Sequence, residues 1–188
     1  MRTDPSIDLE KLSIAEIASL AEQRKLPPVD QWNPTHCGHS DMRIAKDGTW
    51  FYRGSPIGRP AMIRLFSTIL RREADGRHVL VTPAEKLDID VEDAPFLAVE
   101  LRTEGEGRGR RLAFRLNSGD LVVADAGDRL CFEDRGHGIH PYLHVRGGLE
   151  ALVARPVYYE LANLAIEEAH VPLGLWSEAE FFSMETSA

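Results

Sequence analysis

Short apolar runs separated by glycine-containing turns are the feature that most constrains how this chain can fold. Asp47-Gly48 lies between two such runs, residues 42–44 and 50–52. Asp-Gly between alternating apolar residues is a strong signal for a β-hairpin. The predicted strands are residues 42–44, 50–52, 78–82, 87–91, 96–101, 111–116, 121–123 and 142–145. The sequence therefore predicts a chain built mainly of short strands.

Helical patterns lie between and around these strands. Ser13, followed three residues later by Glu16, forms a capping box and predicts a helix over residues 13–24. Pro60 stands at a first-turn position and begins a helix predicted to reach residue 73. Further helices are predicted over residues 148–154, over residues 156–167 and from Ser177 onward. The mixture predicts the α+β class.

The length of 188 residues suits one large domain or two small ones that share a core. A shift of 72 residues places residues 42–44 on 114–116 and residues 50–51 on 122–123. This match indicates internal duplication, although chance alternation of apolar residues explains it equally well. The predicted organisation is an N-terminal helical segment (1–27), a first half (28–96), a second half (97–171) and a C-terminal helix (172–188).

Charge and cysteine content narrow the function classes. The formal net charge of −8 disfavours binding of nucleic acid or anionic lipid by the protein as a whole. Cys37 and Cys131 are too few for a disulfide framework and fit a reducing compartment. The N-terminus lacks the apolar segment of a secretory signal, and no run approaches the length of a membrane span. We therefore expect a cytoplasmic protein.

Metal and nucleophile chemistry find little support in the residue spacing. Three histidines, His137, His140 and His144, form one group, and His36 and His39 flank Cys37 in another. Neither group has the paired spacing of a zinc site, so separate surface and core histidines are the favoured interpretation. The same reasoning favours a structural thiol at position 37. We expect no metal, no other cofactor and no catalytic residue.

A series of spaced residues resembles the proteobacterial DUF1285 family, whose function is unassigned. The matching segments include Cys37-Gly38, Asp47-Gly48-Thr49-Trp50, Gly54-Ser55-Pro56-Ile57, Leu80-Val81-Thr82-Pro83, Val91-Glu92-Asp93-Ala94-Pro95-Phe96, Pro141-Tyr142 and Tyr158-Tyr159-Glu160-Leu161. The resemblance covers about residues 28–165. It implies two similar β-rich halves, the second superficially similar to a pleckstrin-homology domain. It also implies a site for a nucleotide-like ligand between the halves and a role in signal transduction.

A nucleotide-like ligand needs forked cations for phosphate, acceptors for ribose hydroxyls and a flat apolar face for the base. Residues of these types at predicted strand ends and turns give the predicted site. It consists of Arg43, Trp50, Arg59, Thr82, Glu85, Asp93 and Arg146. The alternative is structural: the arginines and acids pair with one another across the interface, and Trp50 belongs to the core.

The leading functional hypothesis is therefore a small-molecule binding or sensor protein with its ligand between the two halves. One alternative is an enzyme acting on a nucleotide or phosphoryl compound, which turnover of nucleotides would reveal. Another is a protein-interaction adaptor that receives a peptide on its second half, which co-purification of a partner would support.

Overall fold

Two six-stranded sheets, one from each half of the chain, form the body of the protein. The computed structural model describes residues 13–16, 19, 26–127 and 129–185. None of the helices within these residues is long and apolar enough to cross a membrane. The description below refers to this part of the chain.

The first sheet has the strand order β3-β2-β1-β6-β5-β4. Its central strands β1 and β6 are parallel, and every other pair of neighbours is antiparallel. The elements are β1 (His36–Ile44), β2 (Trp50–Tyr52), β3 (Ser55–Pro56), α1 (Pro60–Thr68), β4 (Leu70–Arg72), β5 (His78–Val81) and β6 (Glu85–Val91).

The second sheet has the order β10-β11-β12-β7-β8-β9, again with a parallel pair, β7 and β12, at its centre. Its elements are β7 (Phe96–Glu104), β8 (Arg111–Leu116), β9 (Leu121–Val123), β10 (Leu130–Asp134), β11 (Ile139–Arg146), β12 (Leu149–Val153) and the following helix α2 (Arg155–Glu168). A separate hairpin follows, formed by β13 (Gly174–Ser177) and β14 (Glu180–Ser183).

The strand order confirms a duplicated α+β architecture. Adding six to each strand number of the first sheet reproduces the order of the second, including the parallel central pair. The 72-residue shift is nevertheless wrong, because it places β1 on β8 and β2 on β9 instead of on β7 and β8. Both hairpins alternate apolar residues around a glycine turn, so the local pattern does not distinguish their positions in the sheet. Likeness of the second half to a pleckstrin-homology domain stays a prediction.

Of the three helices predicted between residues 60 and 167, two differ in the structure and one is confirmed. The helix from Pro60 ends at Thr68, and residues 70–72 form β4. Residues 149–153, predicted as helix, form β12, whose burial among other strands outweighs its helical pattern. The helix predicted over 156–167 is confirmed as α2.

The predicted C-terminal helix is wrong, because residues 174–183 form the β13–β14 hairpin. Glu178 and Ala179 make its turn in left-handed conformations, with φ of 47° and 65°. The hydroxyl of Ser177 does not cap a helix. It donates to the Ala124 carbonyl at 2.6 Å and accepts from the Leu112 N–H at 2.9 Å, so this contact with the second sheet replaces the predicted cap.

The predicted N-terminal capping box is present. The Glu16 carboxylate accepts from the Ser13 N–H at 2.8 Å and from its hydroxyl at 2.9 Å. Ile14 is fully buried against Ala113, and its N–H donates to Glu104 at 2.9 Å. Apart from Ser19, the remainder of the helix predicted over 13–24 lies outside the described residues.

One apolar core joins the two halves. Trp50 and Phe96 are each 1% exposed, Phe114 and Tyr142 are fully buried, and one continuous cluster contains Trp50, Phe96 and Phe114. Burying each such side chain stabilises the fold by about 1.5–3 kcal/mol. The Trp50 ring stacks on Phe66 of α1 with centroids 6.2 Å apart and an interplanar angle of 18°. Trp50 therefore belongs to the core that the first sheet shares with the second, so the stability of each half depends on the other.

Replacing Trp50 with alanine should lower the free energy of unfolding by about 3–5 kcal/mol, because it opens a large cavity in the shared core. Tyr52, on the same strand but 43% exposed, supplies the matched control, and Tyr52→Ala should cost under about 1 kcal/mol. Denaturant unfolding followed by circular dichroism measures both values. Equal losses in the two variants would contradict the role given to Trp50.

The stability of the first sheet should also depend on pH through His78. Burial, reinforced by the positive charge of Arg72, lowers the pKa of this imidazole from 6.5 to about 4. The folded state thus binds the proton less readily than the unfolded chain, so this contribution is present above pH 6.5 and is lost as the pH falls towards 4.

Replacement by asparagine, His78→Asn, should flatten the pH dependence of the free energy of unfolding across that range. The same replacement at the exposed His36, His36→Asn, provides the comparison at a histidine outside the core. Unfolding curves in guanidinium chloride between pH 4 and pH 7 make the comparison. A slope unchanged by His78→Asn would show that this imidazole is not responsible.

Candidate functional site

The short segment that follows β6 crosses from the first sheet to the second and positions Asp93. Residues 92–95 occupy this crossing, between Val91 at the end of β6 and Phe96 at the start of β7. Ala94 is 3% exposed and anchors the crossing in the interior. The Asp93 side chain is only 8% exposed, so its carboxylate lies within the interface between the halves.

Asp93 contacts both halves of the protein. The Tyr142 hydroxyl of β11 donates to its two carboxylate oxygens at 3.0 and 3.1 Å. Lys46, in the turn between β1 and β2, places Nζ 3.4 Å from Oδ2. Arg135, in the turn between β10 and β11, places Nη1 3.6 Å from Oδ1. A buried carboxylate requires such partners, and here one comes from the first half and two come from the second.

Arg135 and Tyr142 are themselves held firmly. The Arg135 guanidinium lies 3.6 Å from the centroid of the Tyr142 ring, a cation–π arrangement. It also contacts Glu133 at 2.9 Å and Glu150 at 3.0 Å. Burial, together with the hydrogen bond to Asp93, raises the pKa of the Tyr142 phenol. The phenol is therefore a neutral donor at physiological pH.

Glu92 extends the charged arrangement on the side of the first half. Its Oε2 accepts from the Lys46 backbone N–H at 3.0 Å, and its Oε1 pairs with Arg43. The Arg43 guanidinium also lies 4.3 Å from the centroid of the Phe51 ring. Arg43 is therefore paired with Glu92, the residue that precedes Asp93, and has no contact with Asp93 itself among those described.

A pocket of about 290 Å³ opens beside Asp93, and we call it the interface pocket. Its lining residues are Lys46, Glu92, Asp93, Arg135 and His137. Lys46 is the more available of its two strong cations, since its side chain is 38% exposed and its contact with Asp93 is long. Cations beside carboxylates suit a small molecule that has both an anionic group and hydroxyl or amino groups.

Arg146 connects the halves at a second place. Its Nη2 donates to the Ser67 carbonyl of α1 at 2.7 Å, and its Nη1 lies 3.7 Å from Asp120 Oδ2. Its guanidinium lies 5.2 Å from the centroid of the Phe96 ring. It lines a separate cavity of about 170 Å³ with Arg71 and other residues. Arg146 therefore contacts the first half through a backbone carbonyl, and its acidic partner Asp120 belongs to its own half.

The predicted site residues do not assemble into one site. Glu85 begins β6, whereas Asp93 lies two residues after its end, and eight residues of extended chain span roughly 26 Å. Thr82 belongs to the Glu85 end, where its hydroxyl accepts the N–H groups of Ala84 and Glu85 and shapes a turn. One small ligand cannot reach both ends of this strand.

Trp50 and Arg59 also depart from the predicted site. Trp50 is 1% exposed in the core, so it has no open face on which a base could stack. Its apolar surface gains more from burial than from exposure at a binding site. Arg59 is the exposed residue preceding α1, and its carbonyl accepts the N–H groups of Met62 and Ile63.

Lys46 and Arg135 were not predicted from the sequence. Each is a single basic residue in a hairpin turn, and such residues are common on protein surfaces. The turns belong to different halves and lie 89 positions apart in the sequence, so only the packing of the halves brings them to Asp93. The sequence contained only a weak indication of this site, namely that Asp93 lies at a strand end in a segment with acids and prolines.

In the described part of the chain, no group of three or more His, Cys, Asp or Glu side chains is placed to hold a metal ion. The expected absence of metal stays a prediction. Cys37 is exposed on β1. Burial and the neighbouring Glu133 raise the pKa of the Cys131 thiol to about 12, so this group is a poor nucleophile at neutral pH.

Comparison with known proteins agrees with the two-part architecture. The model of the N-terminal domain of DUF1285, a domain of unknown function, matches residues 27–94, and that of the C-terminal domain matches residues 95–184. The chain belongs to the DUF1285 family. No curated protein matches it.

Two crystal structures of DUF1285 family proteins resemble this chain. The protein from Silicibacter pomeroyi is 46% identical with a TM-score of 0.80, and the match covers 90% of this chain and 94% of that one. The protein from Shewanella baltica is 25% identical with a TM-score of 0.52, and the match covers 69% of this chain and 93% of that one. These similarities establish the fold and the family.

The role of Asp93 in joining the halves can be tested by a double-mutant cycle with Tyr142. Asp93→Asn should lower the free energy of unfolding by about 1–3 kcal/mol, because it removes the nearly buried negative charge that faces Lys46 and Arg135. Tyr142→Phe should cost about 1 kcal/mol. The two changes should couple by at least about 0.5 kcal/mol, since they remove the same hydrogen bonds.

The exposed Asp90 of β6 serves as the control, and Asp90→Asn should change stability by less than about 0.5 kcal/mol. Urea unfolding of the four proteins of the cycle and of the control supplies the values. Additive effects of the Asp93 and Tyr142 changes would show that the two groups do not act together.

Proposed function

We propose that this DUF1285 protein is a cytoplasmic small-molecule binding or sensor protein whose ligand occupies the interface pocket. The observation that supports this is the composition of the pocket, to which both halves contribute charged groups around the buried Asp93 carboxylate. A ligand bound there contacts Lys46 from one half and Arg135 from the other. Its binding is thereby coupled to how the halves pack, which is what a sensor in signal transduction requires.

The lining residues favour a ligand with a phosphoryl or carboxylate group and neighbouring hydroxyls. Lys46 and Arg135 supply the cations for the anionic group. Glu92, whose side chain is 46% exposed, accepts from a hydroxyl more readily than the nearly buried Asp93. Nucleotides belong to this chemical class. The volume of about 290 Å³ is at the low end for ligand pockets, so the pocket fits the phosphate and sugar of a nucleotide better than its whole length.

A thermal-shift screen of the full chain tests the proposal. The panel contains inorganic phosphate, nucleoside mono-, di- and triphosphates, cyclic dinucleotides and sugar phosphates. A ligand at 100 times its dissociation constant stabilises the folded state by about 2.7 kcal/mol. For a chain of this size that raises the melting temperature by about 5–10 °C.

The matched variants are Lys46→Ala, which removes a pocket cation, and Arg53→Ala, which removes an exposed cation paired with Asp41 outside the pocket. The first should abolish the ligand-induced shift and the second should preserve it. Recovery of the ligand unchanged after incubation distinguishes binding from turnover. Stabilisation by no member of the panel, or equal stabilisation of both variants, would reject the proposal.

A further inference from the structure

Strand β10 lies at the edge of the second sheet. It pairs with β11 on one side, with Leu130 opposite Leu143 and Phe132 opposite Pro141. Within the described residues no strand pairs with its other side, since the sheet order begins at β10. An edge strand offers a row of backbone donors and acceptors to any further strand that approaches it.

The hydrogen bonds between β10 and β11 identify which residues of β10 offer these groups. The His144 N–H donates to the Arg129 carbonyl at 2.9 Å, so Arg129 faces β11. Because successive residues of an antiparallel strand alternate in direction, Leu130, Phe132 and Asp134 direct their backbone groups outward. The position of Pro141 supports this assignment. Pro141 has no N–H, and it lies opposite Phe132, whose backbone groups point away from β11 and do not need a donor there.

A groove of about 670 Å³ lies between β10 and the β13–β14 hairpin, and we call it the β10 groove. One wall is residues 129–134, and the other is formed by Phe181, Phe182, Ser183 and Glu185. The second wall belongs to the β13–β14 hairpin, which is a separate sheet and makes no ladder with β10. The groove is therefore lined by a strand whose second side pairs with none of the described strands, and by the half-buried Phe181 ring.

The charged residues of the β10 groove are mostly acidic. The lining acids are Glu133, Asp134 and Glu185, and the lining cation is Arg129. Glu133 is paired with Arg135, so Asp134 and Glu185 supply the acidic character. Asp134 and Glu185 accept backbone N–H groups from Gly136 and Leu173, and neither forms an ion pair with a cation among the described residues. Together with the net charge of −8, this gives a negative potential along the edge that attracts basic groups.

We propose that the β10 groove binds an extended, basic segment of a partner protein, which adds to the second sheet as a strand beside β10. The outward backbone groups require the regular alternation of donor and acceptor that an extended peptide supplies. β10 has five residues, so the paired part of the peptide has about five. A second copy of this chain is disfavoured as the occupant, because two acidic grooves would face each other. This surface shares no lining residue with the interface pocket.

Selection from a phage-displayed library of random heptapeptides against the full chain tests the proposal. The selected peptides should be rich in lysine and arginine. These basic residues should alternate with β-branched or aromatic residues, as in a half-buried strand. Hydrogen exchange should show new protection of the amides of Leu130, Phe132 and Asp134 when a selected peptide, made synthetically, is bound.

Backbone N-methylation of that synthetic peptide distinguishes strand addition from other modes of binding. Only alternate residues of an added strand face β10. Methylation of that set should weaken binding about tenfold or more, since it removes hydrogen bonds to the strand edge. Methylation of the other set should leave the affinity within about twofold. This comparison needs no change to the protein, so loss of folding cannot imitate the result.

Charge is tested by the double variant Asp134→Asn with Glu185→Gln, which keeps the hydrogen-bond acceptors and removes two charges. It should weaken the peptide about three- to fivefold, and less at high salt. Glu160→Gln, on the exposed side of α2, is the control and should bind as the parent protein does.

Three results would each overturn the proposal. They are the absence of any enriched heptapeptide, equal effects of the two methylation sets, and a concentration-dependent dimer in sedimentation velocity that protects the same amides. The last result would assign the groove to a second copy of the chain. This test can fail or succeed separately from the nucleotide screen, because it uses a different probe and the two sites share no lining residue.

Discussion

Burial of apolar surface between the two sheets is the constraint on which the rest of this structure depends. A twisted six-stranded sheet has one face that must be covered, and here the principal core cluster draws residues from both sheets. Trp50 of the first sheet and Phe114 of the second belong to that same cluster. The packing of one half against the other therefore brings the side chains of distant segments together.

The polar contacts between the halves follow from that packing. Asp93 and Arg146 both lie where the sheets meet, and each contacts residues of the opposite half. A buried carboxylate without partners would cost several kcal/mol, so the contacts of Asp93 with Lys46, Arg135 and Tyr142 also fix the relative position of the halves. The residues that join the halves at Asp93 are thus also the residues that line the interface pocket, where the proposed ligand would contact them.

The corresponding edge strands of the two halves, β4 and β10, have different surroundings although the halves share one topology. The six strands of each half follow the same order, yet α1 lies within the first unit, whereas α2 and the β13–β14 hairpin follow the second. The hairpin stands beside β10 and forms a wall next to an edge that stays unpaired among the described strands. The corresponding edge strand of the first half, β4, instead contacts the segment that precedes β1, where Arg71 donates to the carbonyls of Val29 and Trp32.

The sequence by itself determined the strand-rich composition, the turns at Asp47-Gly48 and elsewhere, the helices from Pro60 and Pro156, and the family. These features are local, since they depend on alternation, capping and turn chemistry over a few residues. The family resemblance implied a site between the halves, and residue chemistry put Asp93 and Arg146 among the seven residues predicted for it. Tertiary structure alone decided that Trp50 is core, that residues 177–183 form a hairpin, and that Lys46 and Arg135 meet at Asp93. Each of these depends on contacts between segments far apart in the chain, and local sequence patterns contain no information about which distant surfaces will pack together.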